Sequence, residues 1–164
     1  MTEILRVTLL VLLLGVAFAC YFLVVSAMFN RRVLKSLNVA KQMPARSLGI
    51  GFVNFLFFGV IAVVLFAFAE GVENGVLKFI LLVPALVIAG VLAVLLSFGL
   101  SAMVNIVGER VFPEFTSWKK TFWGTIILAF ASAIPTVGWF LLLPFIGLTG
   151  FGAVILGFFQ RDTA

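Results

Sequence analysis

The sequence predicts an all-α, polytopic transmembrane bundle of five spans, or four spans plus a re-entrant hairpin. Three observations carry this. Hydrophobic residues make up 64% of the 164 and mean hydropathy is +1.32. Only 10% are charged, against about a quarter in a soluble domain. The charges gather in short segments between apolar runs, each about as long as the roughly 20 residues a helix needs to cross a bilayer.

The first span is expected over 4–29. Within it, Ala17-Phe18-Ala19 followed by Cys20 has the small-x-small form of a signal cleavage site. The apolar run continues past it through Tyr21, Phe22, Leu23, Val24 and Val25, so an uncleaved anchor is expected. Asn30 to Ser47 then carries Arg31, Arg32, Lys35, Lys41 and Arg46 without an acid. Val33, Leu37 and Ala40 recur there at helical spacing among the cations. This is the pattern of a helix lying on the membrane surface, or of an extension of the first span that stops before Pro44.

The second span is expected over 48–69, crowded with Phe52, Phe55, Phe57, Phe58, Phe66 and Phe68. Such rings face lipid or fill the bundle at little cost in hydrocarbon. A short loop with Glu70, Glu73 and an Asn74-Gly75 turn leads to a third span over 79–104. Gly71 to Gly75 lacks the lysine and the strand of a phosphate loop. A polar segment, Asn105 to Lys120, follows. The uncharged run from Thr121 to Phe159 would be nearly 60 Å long as one helix, about twice the hydrocarbon thickness, so it must break. Pro135, Gly138 and Trp139 mark the turn, giving arms over 121–134 and 138–159.

Basic residues set the orientation. Five precede the second span, and Arg110, Lys119, Lys120 and Arg161 fall on the same side. Arg6 and Lys78 alone fall opposite. The basic side is therefore expected in the cytoplasm and the N-terminus outside. The net charge of +5 is thus read as topology and as attraction to anionic lipid, with no nucleic-acid partner.

Chemistry is limited by what is missing. There is no histidine, hence no usual haem or zinc ligand and no triad base. Cys20 stands alone. Glu109 and Glu114 are the carboxylates of the cytoplasmic loops between spans, and Pro113 and an i, i+5 spacing keep them off one helical face. No enzymatic activity, cofactor or metal is expected. Asn54 is read as the most interior polar side chain, bonding locally or to a neighbouring helix, or lining a path. Ser97, Ser101, Gly147, Gly150, Gly152, Ala153 and Gly157 are small residues where helices of this chain or of another subunit could approach closely.

From Gly108-Glu109-Arg110 through Trp118, Gly124, Ile134-Pro135-Thr136-Val137-Gly138-Trp139 and Gly147-Leu148-Thr149-Gly150-Phe151-Gly152-Ala153, the chain resembles small multi-span bacterial membrane proteins that accompany bactofilin-type polymer-forming domains. Thr149-Gly150-Phe151 between the glycines, and the lack of a β-rich polymerising segment, depart from that pattern. The resemblance implies a scaffold role without catalysis. The expectation is an accessory or scaffolding subunit of a larger complex in the bacterial cytoplasmic membrane, in contact with lipids and other integral membrane subunits. The alternative is a homo-oligomeric channel or carrier for a small neutral or lipidic solute, with Asn54, Ser97 and Ser101 around its path.

Overall fold

The computed structural model describes residues 2–159, among which there are helices and no strand. In order they are α1 (Thr2–Met28), α2 (Asn30–Gln42), α3 (Pro44–Glu70), α4 (Gly75–Val111), α5 (Ser117–Ser132), the single turn α6 (Pro135–Val137), a π-helical turn (Gly138–Leu142) and α7 (Leu143–Phe159). Four stretches are long and apolar enough to cross a membrane: Thr8–Met28, Pro44–Glu70, Gly75–Val111 and Gly138–Phe159. Arg161, counted above in the charge asymmetry, lies outside the described residues.

Side-chain registers give the helix directions. Tyr21 and Ser26 of α1 meet Ser97 and Ser101 of α4, so these helices run parallel. Gly147 and Gly150 of α7 face Leu96 and Gly99, again parallel to α4. Gly108 of α4 abuts Lys120, and Gly124 abuts Val104, so α5 runs the other way, as does α3 against α7. Helices α1 and α5 flank α4 on one side, α3 and α7 on the other. Helix α2 crosses the end where α4 and α7 finish.

The separate α2 arises because the chain bends at Phe29 (φ −119°, ψ 34°). Its Val33, Leu37, Val39 and Ala40 are buried with Ala102, Val104, Ile106 and Ala153, while Arg31, Arg32 and Lys41 stay exposed. Burying a Val or Leu fully stabilises by about 1.5–3 kcal/mol relative to water. The core therefore sits at the basic end of the molecule.

Helices α3 and α4 each begin four residues before the expected span, at Pro44 and Gly75, and two further boundaries differ more. The third span does not stop at Val104. Helix α4 runs on to Val111, and the polar segment expected to begin at Asn105 is helical over its first seven residues. Asn105 is buried and satisfied by neighbours, so nothing forces it out. The helix ends instead where Pro113 disfavours helical geometry at Phe112 (φ −130°, ψ 71°). Pro84, inside α4, does not end it.

The second difference concerns the hairpin. The chain breaks at Ile134-Pro135, but Gly138 has ordinary helical dihedrals (φ −66°, ψ −49°) and supplies no tight reversal. Its missing side chain serves closeness, since a Cβ there would lie 2.5 Å from the Ser132 carbonyl oxygen. Helix α5 has 16 residues, about 24 Å, short of the roughly 30 Å hydrocarbon core. Leu128 of α5 and Leu143 of α7 border the same cleft as Leu100. The turn between them therefore lies near the midpoint of α4, far from its start at Gly75.

Candidate functional site

Three features could carry function: a polar cluster in the core, a set of very close helix crossings, and the basic end with its clefts.

The cluster centres on Asn105. Its Nδ2 donates to the Ser101 carbonyl at 2.8 Å and to Ser26 Oγ at 3.2 Å, and its Oδ1 accepts the Thr121 hydroxyl at 2.7 Å. Ser26 and Ser101 share a hydrogen bond of 2.8 Å, and Thr125 donates to the Thr121 carbonyl at 2.8 Å. One side chain thus ties α1, α4 and α5. Every side-chain polar atom of Asn105 has a partner within the protein, so the cluster ties the three helices together. The sequence reading misses Asn105 because it heads the polar segment expected after the third span. The available signal was its i, i+4 spacing from Ser101, inside Met103-Val104-Asn105-Ile106-Val107.

Asn54 lies elsewhere. Its Nδ2 donates 2.9 Å back to the Ile50 carbonyl in its own helix. Ser97 is tied to α1, accepting from Tyr21 at 2.9 Å and donating to the Ala93 carbonyl. Ser101 is fully buried.

The crossings are backbone on backbone. A Cβ on Gly152 would sit 1.8 Å from the Ser47 carbonyl oxygen, and one on Gly51 would sit 1.9 Å from that of Leu148. Gly150 meets Gly99, with a built Cβ 2.5 Å from its carbonyl oxygen. Gly124 and Gly108 seat α5 on α4 in the same way. Ala153 is fully buried between helices. Gly147 and Gly157 have ordinary room, with their closest neighbours at 3.6 Å (Leu96) and 3.7 Å (Lys35). The buried hydroxyls of Ser47, Ser132 and Thr149 have no hydrogen-bond partner among the described residues.

At the basic end, Arg31, Arg32 and Lys35 line a cleft of about 340 Å³ with Ser36, Val154, Gly157 and Phe158. The Arg32 guanidinium lies 4.5 Å from the centre of the Phe158 ring. Lys41 pairs with Glu109, joining α2 to α4. Arg46 reaches Met43 Sδ at 3.7 Å and lies outside the cleft. Lys119 stands over the rings of Phe115 and Trp118. Glu109 is helical and Glu114 lies in the loop beyond, as a chain broken by Pro113 requires.

Two apolar grooves open on the flanks. The larger, about 860 Å³, runs between α3 and α4 above Pro144 and Gly147. The other, about 370 Å³, lies among α1, α4, α5 and the turn, where Trp139 and Ser132 border it. Trp139 is largely exposed. Among the described residues, no group of His, Cys, Asp and Glu is placed to hold a metal ion.

Compared with known protein families, curated proteins and solved structures, the chain matches none of them.

Proposed function

We propose that this chain is a non-catalytic integral membrane protein of the bacterial cytoplasmic membrane that serves as an accessory or scaffolding subunit of a larger membrane complex. Its basic end faces the cytoplasm, and α1, α3 and α4 cross the bilayer. Helices α5 and α7 form a re-entrant hairpin that enters and leaves on the basic side.

The observation that carries the reading is uneven packing. Half of the most apolar part of Gly138–Phe159 is buried, against 11% in α3 and 6% in α4. Most of the apolar surface of α3 and α4 is thus left for contact with something other than this chain. The hairpin tip supports the same reading. Pro135 has no N–H, so the Ala131 carbonyl loses its partner four residues on. A broken helix at membrane depth is tolerated where protein or a water-filled cavity meets it, not bare lipid.

The channel or carrier alternative asks Asn54, Ser97 and Ser101 to line a path, whereas their hydrogen bonds within the chain favour a structural use.

Photo-crosslinking in native membranes tests the proposal. A photoreactive residue at Val87, Val91 or Phe140 should yield discrete adducts with one recurring membrane protein, and the same probe at buried Phe151 should not. Adducts with lipid alone, or only with another copy of this chain, would overturn it.

A further inference from the structure

The cleft between the start of α2 and the end of α7 is lined by Arg31, Arg32 and Lys35, with no carboxylate among the described residues that line it. Its depth comes from Gly157, where a side chain would otherwise stand against Lys35 Cγ and Ser36 Oγ. Ser36 donates its proton to the Arg32 carbonyl at 2.9 Å, so the donors offered to a ligand come from Arg31 and Arg32. Arg32 is held over the Phe158 ring, which keeps its planar fork at the rim. Guanidinium groups so placed match the oxygens of a phosphate.

The surroundings select among phosphates. Phe158 is more than half exposed, and Met28 and Phe29, just before the arginines in the chain, are exposed as well. Apolar side chains thus stand exposed next to the arginines, at the end of α1 and at the end of α7. A soluble phosphate would gain nothing from that surface, whereas a diacyl lipid would lay its chains on it.

We infer that this cleft is a binding site for the headgroup of an anionic phospholipid, with Arg31 and Arg32 on the phosphate and the acyl chains against Phe158 and the adjoining apolar helix faces. The site does not depend on the subunit reading above.

The test uses the full chain purified in a neutral detergent. Phosphatidylglycerol and phosphatidylcholine are added in turn, and bound lipid is counted by native mass spectrometry. Retention of phosphatidylglycerol over phosphatidylcholine is expected. The double variant Arg31→Gln/Arg32→Gln should reduce it about thirtyfold, the order expected from losing two cations near an anionic group. Lys41→Gln/Arg46→Gln removes equal charge outside the cleft and should leave retention unchanged. Gly157→Leu, which fills the cleft with no change of charge, should lower retention as the arginine variant does. Circular dichroism of each variant establishes that it is folded.

Equal retention of the two lipids would overturn the inference. So would an equal loss in both charge variants, which would mean diffuse attraction. Displacement of the lipid by millimolar inorganic phosphate would assign the cleft to a soluble ligand and overturn it too.

Discussion

Thr121 donates its hydroxyl proton to Asn105 Oδ1 at 2.7 Å, across the crossing where Gly108 and Gly124 let α4 and α5 touch. The hydrogen bond and the close approach depend on each other. Without the glycines the helices stand too far apart for the bond. Without the bond, buried Asn105 Oδ1 is left unmet, while the Thr121 hydroxyl keeps only the longer bond to the Ser117 carbonyl at 3.2 Å.

Asn105→Leu should therefore destabilise the protein by about 1–2 kcal/mol, since Thr121 and Ser26 lose a buried partner. Asn54→Leu breaks only a bond within one helix and should cost less than about 0.5 kcal/mol. Equilibrium unfolding in mixed micelles measures both. Equal effects would contradict the central place given to Asn105.

Gly152→Ala puts a methyl 1.8 Å from the Ser47 carbonyl oxygen, and Gly150→Ala crowds Gly99. Each is expected to cost about 1–3 kcal/mol as α7 is pushed away. Gly59→Ala meets nothing within 4 Å and should be neutral or slightly stabilising, by under about 1 kcal/mol. The same unfolding assay separates the two groups.

The Lys41–Glu109 pair is partly exposed, with side chains 40% and 33% accessible. Glu109→Gln should cost less than about 1 kcal/mol, and the difference should fade as salt is raised. A loss independent of salt would mean that the pair does more than join two helix ends.

Tryptophan depth reports on the hairpin. With Trp118 and Trp123 changed to Phe, fluorescence from Trp139 should be quenched most by lipids brominated near the middle of their acyl chains. Trp118, kept alone, should respond most to shallow bromines. Shallow quenching of Trp139 would place the turn at the far surface and make α5 and α7 full crossings.

Much of the helical architecture was legible in the sequence, because hydrophobic run length and charge spacing are local properties. The amphipathic α2 could be read from Val33, Leu37 and Ala40, and the break from Ile134-Pro135. The end of α4 could not. A cluster of polar residues after Val104 looks like a loop until one sees that Asn105 has partners on α1 and α5, which are distant in the chain. The glycine crossings were half visible. Spacing singles out Gly150 and Gly152, but Gly51, Gly99, Gly108 and Gly124 matter because of the backbone opposite each, and that is a property of the fold. Gly138 looked like a turn residue, whereas its use is the approach to Ser132.

The central claim is that this chain works as part of a larger membrane assembly. Extraction of the native protein in a mild detergent, followed by native-gel sizing and mass spectrometry of the band, tests it most directly. The account predicts co-migration with a fixed set of other membrane proteins. A band holding this chain alone, at several times 17.8 kDa, would contradict it and direct attention to flux through the reconstituted oligomer.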